Sequence, residues 1–439
     1  MRIAYITPGS GDNFYCQNCF RDDELLSSML LLGQDVRKVP MYLPSGYDHS
    51  AVPGTPVFYG AINLYLREKI PGYRRAPSWL ERAFDSQTLL RMAARKSGST
   101  SASGLEGMTI SMLQGEQGRH TSELDNLIRY LETEIRPDVV HLSNALLLGL
   151  AHRLKHDLGA RVVCSLQDEN EWIDDMDTGH QTQVWGLMAE KAADVDLFIA
   201  TSRYYAQRSQ RELRLPADRI KIVNGGINLQ GYERSSLPFD PPVMGFLCRM
   251  SEYFGLGIVV DAFLELKRDT RFHGLKLHLM GGYTGLDKPF VDQMRRKIRD
   301  RGHEADVKIF DRFDKPSRIE FLKSLTVLSV PVPSGEAFGA YQVEALAAGV
   351  PVAQPNVGCY PEFVAATGGG IIYEPNTGDV LAQTIGDLLQ DPDRLKRLSE
   401  QGRQKVMTGF SMNDMAENII GLYNSLRTEP RARSGRKDE

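Results

Sequence analysis

Short apolar runs alternate along the chain with longer segments whose apolar residues recur at helical spacing. This alternation is typical of βαβ units and predicts an α/β fold with mainly parallel sheets. The pattern occurs twice, separated by a stretch from about Tyr232 to Pro242 that lacks periodicity and is rich in Ser and Pro. Predicted strands of the first half are Ile3 to Ile6, Val139 to Leu142, Val162 to Leu166, Leu197 to Ala200 and Ile222 to Val223. Those of the second half are Val243 to Leu247, Leu277 to Met280, Val307 to Phe310, Val327 to Val330, Val350 to Ala353 and Ile371 to Tyr373.

The same pattern suggests how the chain is divided. We expect an N-terminal domain over residues 1–235, a C-terminal domain over 236–410, and a helix over 411–428 that packs back on the N-terminal domain. Residues from about 44 to 120 are poorly patterned, which predicts an irregular insertion. The charged tail over 429–439 is expected to be disordered.

Composition narrows the class of protein. The 439 residues exceed one ordinary hydrophobic core, and the apolar fraction of 42% and charged fraction of 25% are those of a globular protein. The net charge of -4 gives no electrostatic reason to bind nucleic acid. The start of the chain reads as a strand rather than a secretory signal, and five cysteines, an odd number, favour a reducing compartment. We therefore expect a cytoplasmic enzyme, and a peripheral contact with the inner face of the membrane stays open.

The segment richest in candidate chemistry runs from Pro333 to Pro351, directly after a predicted strand. Gly335 and Gly339 let the backbone approach a ligand closely. The helix predicted from about Ala340 to Ala348 begins with unpaired N–H groups that can bind phosphate. Ligands of open α/β sheets bind at the carboxyl ends of strands, which is where this loop lies.

Two carboxylates belong to this segment, Glu336 in the loop and Glu344 about two helical turns later. Carboxylates accept hydrogen bonds from the paired hydroxyls of sugars and ribose, so this pair could hold the two ends of a nucleotide sugar. The alternative is a surface loop residue and a solvated helix residue.

The spacing of the two glutamates, within Ser-Gly-Glu-Ala-Phe-Gly and Glu-Ala-Leu-Ala-Ala-Gly-Val-Pro-Val, resembles retaining glycosyltransferases of the fourth sequence family (glycosyl transferases group 1). Residues 224–228 (Asn-Gly-Gly-Ile-Asn) resemble the family's Asn-Gly-Ile-Asp segment, and 280–282 (Met-Gly-Gly) resemble its Gly-rich turn. The resemblance covers most of the chain outside about 44–120.

This resemblance implies the GT-B fold, in which two Rossmann-like domains face each other across a cleft, with the donor on the C-terminal domain and the acceptor on the N-terminal one. It implies that Glu344 holds the ribose and Glu336 the hydroxyls of the transferred sugar. The remaining donor-binding residues that it implies are Arg249, Phe338, Gly339, Ala340 and Gly282.

One position departs from the family's pattern. Arg249 falls on an expected arginine, but Phe254 stands where the family has a lysine that helps to neutralise the leaving diphosphate. Loss of that cation would cost transition-state stabilisation unless another cation replaces it. Candidates for the replacement are Lys267, Lys288 and Arg312.

Acceptor-side candidates follow the N-terminal strands. Gly11 lies in the loop after the first strand, where the resemblance implies a contact near the acceptor. Gln167 stands where the family often has a histidine, and it can orient a hydroxyl but cannot act as acid or base. Asp168 and Glu169 are candidate acceptor contacts, with exposed loop carboxylates as the alternative.

Four further residues have open roles. His141 and Asn144 end a strand at the expected cleft edge, and His141 is either an acceptor contact or a buried, satisfied histidine. Cys16 and Cys19 form a Cys-x-x-Cys pair that fits a structural role, a redox couple or half of a zinc site.

The function expected from these residues is retaining transfer of a glycosyl unit from a nucleoside diphosphate sugar, UDP or GDP, to a hydroxyl acceptor such as a sugar, a lipid-linked sugar or a small molecule. Glu336, Arg249 and Gln167 are the expected catalytic residues, without cofactor or metal. The alternatives are a sugar-nucleotide epimerase and a binding protein that has lost turnover. A nicotinamide dehydrogenase should show a Gly-x-Gly-x-x-Gly turn after a strand, which this chain lacks in that context.

Overall fold

The computed structural model describes residues 1–8, 15–42, 57–58, 104–233 and 236–428. The predicted insertion lies largely outside these residues, as do Gly11 and the tail 429–439. Elements up to residue 222 are β1 (Arg2–Thr7), α1 (Gln17–Leu31), β2 (Asp35–Pro40), α2 (Glu106–Leu113), α3 (Thr121–Tyr130), β3 (Val139–Leu142), α4 (Ala151–His156), β4 (Arg161–Leu166), α5 (Glu169–Ile173), α6 (Thr178–Lys191), β5 (Leu197–Ala200), α7 (Arg203–Glu212) and β6 (Ile220–Ile222).

The elements after residue 242 repeat the alternation. They are β7 (Val243–Leu247), α8 (Leu256–Leu266), β8 (Lys276–Met280), α9 (Lys288–Asp300), β9 (Val307–Phe310), α10 (Lys315–Lys323), β10 (Val327–Leu328), α11 (Ala340–Ala347), β11 (Val352–Pro355), α12 (Tyr360–Thr367), β12 (Gly370–Tyr373), α13 (Gly378–Leu389), α14 (Pro392–Gly409) and α15 (Met412–Thr428).

The strands form two parallel sheets of six. The order is β2-β1-β3-β4-β5-β6 in the first sheet and β12-β11-β10-β7-β8-β9 in the second. In both sheets the order reverses beside the first strand, and this is where open α/β sheets bind ligands. The α/β fold class with two parallel sheets is thus confirmed.

Two elements differ from the sequence-based expectations. The edge strand β2 was not predicted because its sequence, Asp-Val-Arg-Lys-Val-Pro, has two valines separated by charged residues and forms no apolar run. Helix α2 lies within the segment predicted to be irregular, and its Met112 and Leu113 are buried in the N-terminal core. Tertiary packing stabilises this short helix.

The end of the chain returns to the first half. Helix α15 packs against α1, and its Met412, Ile419 and Tyr423 share a core with Tyr5 and Leu25. Where the chain crosses back, Met412 N–H donates to Ile227 O at 2.9 Å. None of the described helices is both long enough and apolar enough to span a bilayer.

Candidate active site

The loop before α11 turns sharply at its last residue. Gly339 has a φ of 70°, a left-handed conformation that favours glycine. A Cβ atom there would lie 2.8 Å from Gln342 Nε2 and 3.2 Å from Glu336 Oε2. The turn therefore brings Glu336 back over the first turn of α11, beside the N–H group of Ala340.

Glu336 is buried among neutral hydrogen-bond donors. Its Oε1 accepts from Gln17 Nε2 at 2.7 Å, and its Oε2 accepts from the hydroxyls of Tyr341 and, at 3.3 Å, Tyr360. Burial raises the pKa of Glu336, and the nearby Asp168 carboxylate raises this pKa further. The side chain can therefore hold a proton at pH values where an exposed glutamate is ionised.

Glu344, about one turn into α11, instead has a cation as partner. Arg318 Nε on α10 donates to its two oxygens at 3.2 and 2.9 Å, and both side chains are almost fully buried. The Tyr15 hydroxyl approaches Glu344 Oε1 at 3.4 Å. The Arg318 guanidinium lies over the rings of Tyr15 and Phe20, 5.5 and 4.8 Å from their centroids. Arg318 thereby fixes the position of the Glu344 carboxylate.

Gln17, the first residue of α1, spans the cleft between the two halves of the chain. Besides its bond to Glu336, its Oε1 accepts from Ala340 N–H at 2.9 Å. A neutral amide oxygen thus occupies the N-terminus of α11, where a phosphate oxygen would gain the most from the helix dipole.

Arg249, which follows β7, is held by two carboxylates. Its Nη1 lies 3.1 Å from Glu171 Oε1, its Nε lies 3.5 Å from Asp287 Oδ2, and its guanidinium lies 5.2 Å from the centroid of the Phe254 ring. Phe254 is buried. Its ring faces the Arg249 guanidinium at the position where a lysine was expected.

The three proposed replacement cations lie elsewhere. Lys267 donates to the carbonyl groups of His273 and Leu275 and pairs with Asp306. Lys288 and Arg312 are largely exposed and pair with Asp292 and Asp314. The structure thus gives no support for their predicted role, because Lys267 is buried among its partners and the other two pair with carboxylates near them in sequence.

Phe338 and Gly282 contact the backbone of neighbouring loops. A Cβ atom at Gly225 would lie 2.6 Å from the Phe338 ring, so this ring packs directly on the loop between the two halves. Gly282 O accepts from Met250 N–H at 2.8 Å, and Gly281 O accepts from Tyr15 N–H at 2.8 Å. The Gly-rich turn therefore anchors both Tyr15 and the Arg249 loop.

Asp168 is the acceptor-side carboxylate that reaches the donor loop. Its Oδ1 accepts from Ala337 N–H at 2.6 Å, next to Glu336, and burial raises its pKa. Gln167 instead donates to Asp22 Oδ1 at 3.0 Å. Its amide nitrogen is thus oriented toward the N-terminal half rather than toward a donor sugar.

Other acceptor-side candidates have structural partners. Glu169 is buried and accepts from Ala145 N–H at 2.8 Å and the Tyr205 hydroxyl at 2.7 Å. Asn144 Oδ1 accepts from Leu146 N–H at 3.1 Å and so caps the turn after β3. These bonds use the oxygen atoms that were expected to contact an acceptor.

His141 lies in the core rather than at the cleft surface. It is 0% exposed, its Nε2 lies 2.8 Å from Ser165 Oγ, and its Nδ1 bonds to the Tyr423 hydroxyl. Burial lowers its pKa to about 3, so the ring stays neutral. Both ring nitrogens are therefore occupied, and the buried, satisfied alternative describes this residue.

Cys16 and Cys19 form a disulfide bond at the start of α1. The bond encloses Gln17 and Asn18, and the Asn18 side chain bonds to Asp168. The Cys-x-x-Cys pair therefore shapes the segment that enters the site.

Sequence reasoning missed Tyr15, Gln17 and Arg318. The first two lie directly after the loop that follows β1, a position that pointed to the site without giving side-chain directions. Arg318 stands just before the buried Phe321 and Leu322 on α10, and a cation next to apolar core residues was the available signal.

Sequence models of two known protein families match the chain. A sequence model described as "Glycosyl transferases group 1" matches residues 232–405, and one described as "Glycosyltransferase Family 4" matches residues 109–230. Together the two matches cover well over half of the chain.

Curated relatives include two enzymes named D-inositol 3-phosphate glycosyltransferase. The one from Corynebacterium glutamicum is 23% identical over 269 residues, 58% of this chain and 63% of the relative. The one from Catenulispora acidiphila is 27% identical over 241 residues, 54% of this chain and 57% of the relative. The match thus spans less than two thirds of either relative.

Solved structures resemble the chain along nearly its whole length. Sucrose-phosphate synthase from Thermosynechococcus elongatus gives a TM-score of 0.68 at 16% identity, covering 97% of this chain and 98% of that one. Anabaena HepE in complex with UDP gives a TM-score of 0.67 at 15% identity, covering 97% and 100%. At these identities the likeness shows the fold, two Rossmann-like domains in the GT-B arrangement. With both sequence models matched in order along a chain of this fold, the protein belongs to the family 4 (group 1) glycosyltransferases.

Proposed function

We propose that the protein is a retaining glycosyltransferase that moves a glycosyl unit from a nucleoside diphosphate sugar to a hydroxyl acceptor. The observation that carries this proposal is the placement of two buried carboxylates, Glu336 in the loop before α11 and Glu344 within α11, with Ala340 N–H between them in the cleft. A nucleotide sugar has matching parts, because its ribose and its sugar carry paired hydroxyls and its diphosphate lies between them.

The donor would replace contacts that the protein now makes with itself. Ribose hydroxyls would take the position of the Tyr15 hydroxyl at Glu344, while Arg318 keeps the carboxylate oriented. Sugar hydroxyls would bind Glu336, and a phosphate oxygen would take the place of the Gln17 amide oxygen at Ala340 N–H. Arg249 and the N-terminus of α11 would supply positive charge to the leaving group.

The proposed transfer needs no nucleophile from the protein. The bond from the sugar's anomeric carbon to the diphosphate oxygen breaks, the acceptor hydroxyl attacks from the same face, and its proton passes to the departing phosphate. Configuration is retained because departure and attack share one face. The protein's contribution is to position the reactants and to stabilise charge.

Arg21 supports an acceptor that carries an anionic group. Its side chain is 4% exposed, its nearest carboxylate oxygen, on Asp22, is 3.8 Å away, and its Nε and Nη2 have no hydrogen-bond partner within the described residues. A buried cation without a close partner is costly, so an anion at this position would be favourable. Since two relatives are named for D-inositol 3-phosphate, a polyol phosphate is the first acceptor to test.

Donor binding provides the test. UDP-, GDP- and ADP-sugars are screened by thermal shift, and the best ligand is titrated by calorimetry. Glu344→Ala should abolish this binding, whereas Glu265→Ala, a half-exposed glutamate on α8, should not change it. Turnover with the acceptor, followed by NMR of the anomeric configuration, then tests retention. If no nucleotide sugar binds the wild-type protein, the proposal fails.

A further inference from the structure

A second cluster of chemically active side chains lies on the N-terminal half, outside the cleft described above. His152 and His156 are four residues apart on α4, so they share one face of the helix. Asp194 ends the short turn over 192–194 that precedes β5. One ligand atom from each of these three side chains lies within 4.8 Å of the other two.

The distances within the cluster match those of a tetrahedral metal centre. Asp194 Oδ2 lies 3.2 Å from His152 Nδ1, and Asp194 Oδ1 lies 3.4 Å from His156 Nε2. Around Zn²⁺, with bonds of about 2.0–2.1 Å, tetrahedral ligand atoms lie about 3.3–3.4 Å apart. The imidazole rings have centroids 4.4 Å apart, so both lie close enough to bind one ion.

The backbone around Asp194 is held in place by another residue. Arg219 Nη2 donates to Ala192 O at 2.9 Å and to Ala193 O at 3.3 Å, and it also bonds to Val195 O. These bonds fix the turn that carries the carboxylate. A ligand on a fixed turn loses little freedom when it binds an ion.

Cationic side chains close to the cluster pair with other carboxylates. Lys155, between the two histidines on α4, pairs with Asp196 at 2.9 Å. Arg153 pairs with Asp125 and Asp157. Within the described residues, the ion-pair contacts of Asp194 are therefore those with the two imidazoles, and these can give way to a metal ion.

We infer that His152, His156 and Asp194 form a site for a divalent transition-metal ion. Two imidazoles and one carboxylate suit Zn²⁺, with water in the remaining position. The ion would link α4 to the turn before β5 and so stabilise the N-terminal half. This inference is independent of glycosyl transfer, because the three residues lie on α4 and the turn before β5 rather than at the donor loop.

Zinc titration tests the inference. Full-length protein is freed of metal with EDTA, kept without reductant so that Cys16 and Cys19 stay oxidised, and titrated with ZnCl₂ by calorimetry. We expect one equivalent to bind, and we expect His156→Ala and Asp194→Asn each to lower the affinity at least about tenfold. Zinc should also raise the melting temperature of the wild-type protein and slow hydrogen exchange in 145–156 and 192–200.

The chain offers a matched control. His180 and Asp177 form another partly exposed imidazole–carboxylate pair, but with a single histidine. His180→Ala should leave zinc affinity unchanged. If the wild-type protein binds no zinc, or if the His152→Ala/His156→Ala double variant binds it as tightly, the three side chains are only a hydrogen-bonded surface cluster and the inference is overturned.

Discussion

Glu336 precedes α11 and Glu344 lies within it, and both are buried, yet their surroundings differ. Glu344 has the guanidinium of Arg318 as its partner, whereas Glu336 accepts hydrogen bonds from neutral amide and hydroxyl groups and lies near the Asp168 carboxylate. An opposite charge offsets the cost of burying an ion, while neutral donors offset it only in part. One carboxylate is therefore fixed by an ion pair, and the other can take up a proton.

The largest expected effect comes from removing the cation. Arg318→Ala leaves Glu344 buried without its partner, so we expect the free energy of unfolding to fall by about 3–5 kcal/mol in urea denaturation. Lys323→Ala on the same helix is the control, because its partner Glu233 is 85% exposed and its expected effect is about 0–1 kcal/mol. A loss for Arg318→Ala as small as the control's would contradict the interpretation that this ion pair fixes Glu344.

Replacing the other carboxylate should affect catalysis more than stability. Glu336→Gln keeps the size of the side chain but replaces the carboxyl group that would bind the sugar hydroxyls with a neutral amide. A hydrogen bond to a charged group contributes about 1.5–3 kcal/mol, so kcat/KM should fall roughly tenfold to a hundredfold. Glu344→Gln, at the ribose end, should mainly raise the KM for the donor. Identical kinetic changes in the two variants would remove the distinction between the ends.

The raised pKa of Glu336 predicts a pH dependence of stability. As pH rises above the normal glutamate range, the unfolded chain releases this proton first while the folded protein retains it. The folded state then binds more protons, so the free energy of unfolding falls with rising pH, by up to about 1.4 kcal/mol per pH unit. Glu336→Gln should remove this slope between about pH 5 and pH 8, although Asp168 leaves a weaker slope of the same sign. Parallel profiles for wild type and variant would show that Glu336 is ionised throughout.

The smallest expected effect concerns Gln17. Gln17→Ala removes two hydrogen bonds across the cleft, so the free energy of unfolding should fall by about 1 kcal/mol. It also leaves Ala340 N–H open to a phosphate, so UDP should bind a few-fold more tightly in calorimetry. Gln34→Ala, beyond the other end of α1, should change neither quantity. Weaker UDP binding by Gln17→Ala would show that this amide helps to hold the donor.

Sequence patterns were informative where interactions are local. Apolar runs located most strands within one or two residues, since a strand covered on both faces needs apolar side chains throughout. β2 was missed because charged residues separate its two valines, so it contains no apolar run. α2 was missed because the stability of such a short helix depends on packing against the core. The glutamate spacing and the glycine-bounded helix likewise indicated the donor loop, which the chain builds from residues close together in sequence.

What only the tertiary structure decided is the chemistry of each carboxylate. Gln17 and Glu336 are 319 residues apart, and Tyr15 and Glu344 are 329 apart, so no local pattern could show these contacts. Glu169 and His141 read as cleft residues in sequence, but their partners come from α7 and α15. The sequence alone determined the α/β pattern, the loop and the positions of its two glutamates. Folding decided which glutamate faces a cation and which faces neutral donors, because desolvation and Coulomb energy depend on distance in space rather than along the chain.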